Sequence, residues 1–163
     1  MEAFELDEIF WFMNTRKEHE NGINIYIMTM VSREPRQIVA FEVDNSIRSG
    51  HIQAMVDRSP EAKNYYTDGG VAYLDVIFWG EHRRNVHNKS DTYIIEGSNS
   101  DIRHYIAGLR RKSRCFFRSL ETLKAVLTLF INAYNQFGAA KHAFKTRHPD
   151  YGRDFPFSHL QFV

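Results

Sequence analysis

Asp7 is the first residue whose surroundings need a chemical explanation. It lies in the run FELDEIFWFM, residues 4–13, where nearly all neighbouring side chains are apolar. An ionised carboxylate in apolar surroundings is unfavourable unless a partner compensates its charge, and a metal ion is one such partner. The alternative is an edge strand from which Asp7 faces water. Glu8, one residue further, is expected to point to the opposite face of the strand, which makes it the weaker ligand candidate.

Asp68 and Glu96 occupy positions that suit either a ligand site or an ordinary structural role. Asp68 ends the run YYTD immediately before Gly69 and Gly70, at the kind of strand end where ligands collect but where Asp also commonly starts a turn. Glu96 falls in the first turn of a predicted helix, where a carboxylate also favours the positive end of the helix dipole. With Asp7, these residues would offer three oxygen ligands that suit Mg²⁺ or Mn²⁺.

A dense group of basic residues follows Glu96. The group consists of Arg103, Arg110, Arg111, Lys112, Arg114 and Arg118. Continuous helix geometry would place Arg103, Arg110 and Arg114 within about 40° of the preceding carboxylate, because successive residues are rotated by about 100°. Guanidinium groups without acidic partners four positions away suit phosphate oxygens, so this face is predicted to bind nucleic acid through contacts that depend little on base sequence. The alternative is an ordinary solvated face.

Carboxylates followed by guanidinium groups predict two-metal phosphoryl transfer on a polynucleotide. Two ions about 4 Å apart can activate a water or a 3′-hydroxyl and stabilise the leaving oxygen, so no side-chain nucleophile is required. The chain has no Gly-x-x-x-x-Gly-Lys phosphate loop, and its single cysteine, Cys115, excludes a Cys-x-x-Cys zinc site formed within it. His82 and His87 lack further spaced ligands and are interpreted as loop histidines.

Composition predicts one globular domain, since 163 residues with 43% hydrophobic side chains can bury a core. Charge is unevenly distributed: residues 1–61 contain 6 Lys or Arg and 11 Asp or Glu, whereas residues 83–118 contain 9 and 3. One part of the surface is therefore expected to be much more positive than the rest. No signal leader is apparent and no apolar run approaches the roughly 20 residues that span a bilayer, so a cytoplasmic, nucleoid-associated location is expected.

Periodicity and turn signals predict the elements that must position these residues. Three strands of an antiparallel meander are predicted at residues 4–13, 23–31 and 36–43. The further predictions are a helix from Asn45 or Ser46 to about residue 57, a strand ending at Asp68, a helix at 71–79, a loop at 80–92 with at most a short strand, and helices at 94–112 and 119–137. The predicted fold class is α/β, with a mixed sheet flanked by helices in a domain of residues 1–137. The aromatic tail, residues 138–163, is predicted to pack on this domain or on a partner.

Four segments, in this order, carry a resemblance to a known family: LDEIFWFM, YYTDGGVAY, TYIIEGSNSDIR and RRKSRCFFRSLE. They are similar to the catalytic half of the DDE transposases of the insertion-sequence-one family. The similarity lies in an Asp-Glu pair in the first strand, a Tyr-Thr-Asp, an Ile-Glu-x-x-Asn, and an Arg-Lys-Ser/Thr-x-Cys-Phe segment followed by Ser-x-Glu. The resemblance spans roughly residues 4–137, and the block from Glu96 to Glu121 is its most specific part.

The resemblance implies a ribonuclease-H-like fold, in which parallel strands continue the antiparallel strands 1–3. It implies that Asp7, Asp68 and Glu96 form a catalytic triad that binds two Mg²⁺ or Mn²⁺ ions. The implied activity is cleavage at transposon ends and transfer of the 3′-hydroxyl ends into target DNA, for which a homodimer or synaptic complex is expected. Asn99 matches the family's asparagine and Arg103 could steady the scissile phosphate, so both are expected to contact DNA at the site.

The chain also departs from the family pattern, and two alternatives to an active transposase stay open. Gly69, Gly70 and Val71 stand where a Trp often follows the Tyr-Thr-Asp motif. No zinc-ribbon or helix-turn-helix region that reads transposon ends is present, so a separate or fused end-recognition domain is expected. The alternatives are a non-catalytic DNA-binding or regulatory remnant, and a ribonuclease-H-like nuclease that cuts DNA without joining it to a second duplex.

Overall fold

The computed structural model describes residues 1–13, 23–85, 91–110 and 116–137. This part of the chain contains five strands and three α-helices. In chain order they are β1 (Ala3–Met13), β2 (Ile23–Ser32), β3 (Gln37–Asp44), α1 (Ser49–Asp57), β4 (Asn64–Asp68), β5 (Glu81–Asn85), α2 (Tyr93–Tyr105) and α3 (Leu120–Phe137), with 3₁₀ helices at Val71–Tyr73 and Ala107–Leu109. The predicted α/β class is confirmed. The predicted tail, residues 138–163, lies outside the described residues.

The strands form one mixed sheet in the order β3-β2-β1-β4-β5. β1 pairs antiparallel with β2, and β2 pairs antiparallel with β3, as the meander prediction requires. β4 is parallel to both of its neighbours, β1 and β5. Since β1 is the central strand, the edge-strand alternative for Asp7 is wrong, although Asp7 itself pairs with β2 only, beyond the last pair with β4.

Side chains of β1 alternate between two hydrophobic cores, one on each face of the sheet. Ile9 and Met13 face a core built with α2 and α3, whereas Phe4 and Leu6 face a core built with α1. Full burial of each such side chain stabilises the fold by about 1.5–3 kcal/mol relative to exposure. The side chains of odd-numbered residues of β1 therefore point toward α2, and those of even-numbered residues point toward α1.

Three hydrogen bonds attach α2 and the turn after it to odd-numbered residues of β1. They join Ile95 to Glu5 over 2.9 Å, Asn99 to Asp7 over 3.0 Å and Gly108 to Trp11 over 2.7 Å. An α-helix rises about 6 Å in four residues, which is close to the roughly 6.7 Å between alternate residues of a strand. The helix therefore runs alongside β1 with Asn99 next to Asp7.

The predicted helix at 94–112 is wrong at its C-terminal end, because α2 stops at Tyr105. Ile106 is extended, and a 3₁₀ helix follows. Trp11 donates its indole N–H to the Gly108 carbonyl, and a Cβ at Gly108 would lie 2.5 Å from the Phe117 ring. These contacts draw the chain out of the helix. Ile106 and Leu109 are nevertheless buried, so the apolar periodicity continues past the point where the helix ends.

Two further helix predictions differ from the structure. α1 begins at Ser49 rather than near Ser46, whose backbone N–H is bound by the Asp44 carboxylate over 3.2 Å. The helix predicted at 71–79 is only a 3₁₀ turn. The Gln53 side chain holds the rest of that segment, accepting from Ile77 N–H at 2.7 Å and donating to the Ile77 carbonyl at 3.0 Å.

Two predictions at the C-terminal side agree with the structure. Ser119 caps α3, accepting a hydrogen bond from the Thr122 backbone at 3.1 Å. The short strand allowed within 80–92 is β5, which lies parallel to β4.

Among the described residues, none of the helices combines the length and apolar character needed to cross a bilayer.

Candidate metal centre

Three carboxylates converge where β4 ends beside β1. One oxygen from each of Asp7, Glu8 and Asp68 lies within 4.8 Å of the others, and all three side chains are half-buried. The parallel pairing explains the first contact: Leu6 pairs with Thr67, so the next residue of each strand is Asp7 and Asp68 respectively. Two of the three predicted acids are therefore brought together by strand register.

Glu8 joins this group although it was expected to point away. It does lie on the α1 face, where it accepts a hydrogen bond from the buried Tyr73. Glu8 pairs with Met28 of β2, but the pairing with β4 reaches only Leu6, so on the β4 side none of the described strands separates the two faces of the sheet at Glu8. Its carboxylate is consequently within reach of Asp7 and Asp68. Glu8 obeys the period-two alternation, which predicts the face of a side chain but not where the neighbouring strand ends.

Asp7 is held from α2 by the side chain of Asn99. The Asn99 amide nitrogen donates to Asp7 Oδ2 at 3.0 Å, and the amide oxygen accepts from the Thr29 hydroxyl at 2.8 Å. Thr29 is the direct partner of Asp7 in the β1–β2 pairing, so the three residues form one layer. Asn99 is only 3% exposed. It reaches the predicted site, but it has little surface left to offer DNA.

Burial raises the pKa of Asp7, and the negative charges of Asp68 and Glu96 raise it further, while hydrogen bonds from the backbone and Asn99 act in the opposite direction. Burial also raises the pKa of Glu8 to about 7, with smaller upward contributions from Asp68 and Asp7 and a downward one from the Tyr73 hydrogen bond. Repulsion between like charges in one site disfavours joint ionisation and so raises a carboxyl pKa. Repulsion contributes, but burial is the larger cause.

Asp68 combines the turn role and the cluster position that sequence reasoning treated as alternatives. Its Oδ1 accepts a hydrogen bond from the Gly70 backbone at 2.8 Å, which makes a local turn. A Cβ at Gly70 would lie 3.0 Å from that oxygen and 3.2 Å from the Tyr73 ring. Glycine at position 70 thus lets Asp68 and Tyr73 approach each other around the end of β4.

Glu96 lies in the first turn of α2 and is exposed. Its charge contributes to the raised pKa of Asp7, so it acts on the same side of the sheet. Among the described residues, however, the group within 4.8 Å comprises Asp7, Glu8 and Asp68 and does not include Glu96. The structure thus brings two of the predicted triad together and leaves the third outside the group.

The predicted continuous basic face is wrong, because α2 ends before most of its members. Arg103 lies half-buried in α2, whereas Arg110 follows the 3₁₀ helix and donates its Nε to the His104 carbonyl at 2.9 Å. Arg118 is exposed just before α3. Arg111, Lys112 and Arg114 lie outside the described residues. A DNA-binding role for these side chains stays a prediction.

Glu5 is a buried acid with a structural role that sequence reasoning missed. Its side chain is fully buried, pairs with Arg33 at 2.8 Å, and accepts the Ile95 backbone N–H at the start of α2. The guanidinium of Arg33 also lies 3.8 Å from the centre of the Tyr66 ring. Glu5 therefore anchors the helix that carries Asn99, two residues before Asp7 on the same strand.

His82 belongs to β5 rather than to a loop. Its Nε2 lies 2.9 Å from the Thr67 hydroxyl, and its ring packs on Phe78 with 4.2 Å between centroids. Burial and the nearby charge of Arg84 lower its pKa. These contacts give it a packing role at the sheet edge, while His87 lies outside the described residues.

No protein-family model matches the chain, and no curated protein shows significant similarity to it. The chemistry of the site therefore rests on its own residues. Three carboxylate oxygens in one place are a donor set for a hard divalent cation, which would also relieve their mutual repulsion. The residues at the end of β4 fit such an ion.

Proposed function

We propose that the chain is the catalytic domain of a metal-dependent DNA transposase with a ribonuclease-H-like fold. It cleaves phosphodiesters at transposon ends and transfers the 3′-hydroxyl ends into target DNA. The observation that carries the proposal is the convergence of Asp7 on β1 and Asp68 on β4 with a third carboxylate. The arrangement of three antiparallel strands continued by parallel strands supports it, since the family resemblance implies a sheet of that kind.

The residues that would hold Mg²⁺ or Mn²⁺ are Asp7 and Asp68, with Glu8 as the nearest further donor. Glu96 stays the proposed third member of the triad, and it would complete a site for two ions from α2. Such ions supply Lewis-acid activation of the attacking oxygen and stabilise the leaving one. The chain's own contribution is to bring carboxylates together at one end of β4. Asn99 orients the Asp7 carboxylate and Tyr73 orients that of Glu8.

DNA is the proposed partner, and its phosphates are the proposed ligands of Arg103, Arg110 and Arg118 together with the basic residues at 111–114. Binding of this kind falls steeply with salt and depends little on base sequence. Since two transposon ends must be cut and joined together, the active form is proposed to be a homodimer or synaptic complex. Recognition of the ends is assigned to a separate or fused domain.

Plasmid nicking and oligonucleotide joining in Mg²⁺ or Mn²⁺ test the proposal. The wild-type chain should nick supercoiled DNA and join a labelled duplex carrying a 3′-hydroxyl to the plasmid. Asp68→Asn, which keeps the side-chain volume and removes the charge, should do neither. Asp75→Asn is the matched control, because Asp75 is an exposed acid seven positions further along the chain. Metal-dependent activity in Asp68→Asn would overturn the assignment.

The same assay separates the two other candidates. Nicking without joining would favour a ribonuclease-H-like nuclease. DNA binding with neither reaction would favour a regulatory remnant. The presence of three converging carboxylates favours an enzyme over a remnant, because a binding surface for phosphates gains nothing from clustered negative charge.

A further inference from the structure

Two neutral donors hold two of the converging carboxylates, one from each face of the sheet. Asn99 donates to Asp7 from α2. Tyr73 donates to Glu8 from the α1 side. Three like charges within 4.8 Å of one another repel, so without restraint each side chain would rotate away from the others. The two donors oppose that rotation.

Asn99 is restrained in a way that an exposed amide is not. Its side chain is 3% exposed, and Thr29, which is fully buried, donates to its oxygen. A rotated amide would present oxygen to the Asp7 carboxylate and nitrogen to the Thr29 hydroxyl. The Asp7 carboxylate can only accept, so it requires the amide nitrogen on its side, and the Thr29 hydroxyl holds the amide oxygen on the other side.

Tyr73 is restrained by packing. Its ring is 2% exposed and belongs to the core that contains Phe4, Leu6 and Tyr65. Its hydroxyl donates to Glu8, and the absence of a side chain at Gly70 leaves room for the ring beside Asp68. A tyrosine fixed in this way holds its hydroxyl at one position.

We infer that Asn99 and Tyr73 are positioning residues, which hold Asp7 and Glu8 in the arrangement that binds a divalent cation. This inference rests on the proposed function, because it concerns the same site. Partners of this kind, which touch the ligating groups and not the ion, typically change metal affinity by about 10–100-fold when they are removed. The role assigned to Asn99 here is to orient an acid, which differs from the DNA contact expected from its motif.

The chain contains a matched control for each residue. Tyr134 is a second buried tyrosine that donates to an acid, Asp101, at 3.1 Å. Asn135 is a second asparagine with both amide atoms engaged, donating to the Ile38 carbonyl at 2.8 Å and accepting from its N–H at 2.9 Å. Both belong to α3, away from the end of β4.

The experiment is a Mn²⁺ titration of the full chain by calorimetry and by electron paramagnetic resonance, with Tm recorded for every variant. Tyr73→Phe and Asn99→Ala should each weaken Mn²⁺ binding by roughly tenfold or more. Tyr134→Phe and Asn135→Ala should leave the Mn²⁺ Kd within about twofold of wild type, even where they lower Tm as much. A residue that acts only through overall stability would change Kd in both pairs alike.

Thr29→Val is the second variant on the Asn99 side and covers the case in which Asn99→Ala does not fold. It keeps the buried volume and removes the hydroxyl that orients the amide, and a loss of about threefold or more in Mn²⁺ affinity is expected. Wild-type affinity in Tyr73→Phe together with wild-type affinity in Asn99→Ala or Thr29→Val would overturn the positioning role. If Asp68→Asn abolishes Mn²⁺ binding in the same series, the proposed metal centre survives that result. Absence of Mn²⁺ binding by the wild-type chain would overturn both.

Discussion

The side chain of Asn99 donates a hydrogen bond to the Asp7 carboxylate over 3.0 Å, although the two residues are 92 positions apart in the chain. This bond is the middle one of three that attach α2 and the 3₁₀ helix after it to β1. It links the central strand of the sheet to the helix that also carries Glu96. The candidate centre is therefore a product of long-range packing, and we expect its acids to be affected by substitutions on both faces of the sheet.

Glu8→Gln should remove a pH dependence of stability above pH 5. Burial raises the pKa of Glu8 from 4.5 to about 7 in the folded chain. The folded chain thus binds this proton more tightly than the unfolded chain does. Protonated Glu8 therefore favours folding, by at most about 3 kcal/mol, and this contribution is complete below pH 4.5. It is lost as the pH rises to about 7. Urea unfolding without metal should find Glu8→Gln more stable than wild type near pH 8 and similar near pH 5.

The comparison with wild type isolates Glu8 from two other groups. The lowered pKa of His82 acts in the opposite direction across the same pH range, but it is common to both proteins. Glu42 has a pKa of about 2, since hydrogen bonds from Lys124, Val43 and Arg58 outweigh its burial, so its effect falls below pH 4.5. A stability difference that is the same at both pH values would contradict the assignment to Glu8.

The two candidate third ligands can be separated by metal binding. Glu8 lies within the group of three acids, whereas Glu96 lies outside that group and raises the pKa of Asp7 through its charge. Glu8→Gln should therefore weaken binding of the first Mn²⁺ by about tenfold, and Glu96→Gln by about threefold or less. Calorimetric titration measures both. If Glu96→Gln has the larger effect on the first ion, the side chain of Glu96 moves into the group when metal binds.

Gly70→Ala should weaken Mn²⁺ binding, because its Cβ would meet Asp68 Oδ1 at 3.0 Å and the Tyr73 ring at 3.2 Å. Both groups must shift to admit it, and one of them is a proposed ligand. Gly97→Ala is the control: it lies in α2 between Glu96 and Asn99, with nothing within 4 Å of the added carbon. That variant should stabilise the fold by about 0.5–1 kcal/mol and keep the wild-type Mn²⁺ Kd. Equal Mn²⁺ affinities in the two variants would contradict the crowding argument.

Glu5→Gln should destabilise the fold by about 1–3 kcal/mol, because it leaves the partly buried Arg33 without its anionic partner. Denaturant unfolding measures this change. Glu2→Gln removes an ion pair with Lys63 in which both side chains are more than two-thirds exposed, so its effect should be much smaller than that of Glu5→Gln. Similar losses of unfolding free energy in the two variants would show that burial of Glu5 does not strengthen its ion pair with Arg33.

The strands that carry Asp7 and Asp68 could be predicted from short stretches of the sequence. The apolar, β-branched run around Asp7 predicts a strand, and the glycines after Asp68 predict its end, so both acids were identified from their neighbours. β5 was harder to predict, because its sequence EHRRN is polar and half-exposed at the edge of the sheet. Such a strand is specified by its pairing with β4 and not by its own hydrophobicity.

The remaining features depend on tertiary contacts that no window of sequence contains. Glu8 enters the group because pairing with β4 stops one residue before Asp7, and this follows from register. α2 ends at Tyr105 because Gly108 contacts Trp11 and Phe117. The role of Asn99 depends on its hydrogen bond with Thr29. Nothing in the sequence around Thr29 indicates that its hydroxyl contacts a residue 70 positions away.

The three bonds that join β1 to α2 and to the 3₁₀ helix after it also bear on how the molecule folds. They join residues that are 90, 92 and 97 positions apart, so each requires closure of most of the described chain. Closure of such long loops is entropically costly and tends to come late on a folding route. A divalent ion that binds the assembled acids would then act after the rate-limiting step. In stopped-flow experiments Mn²⁺ should slow unfolding and leave the folding rate nearly unchanged, so bound metal would extend the lifetime of the folded chain without speeding its formation.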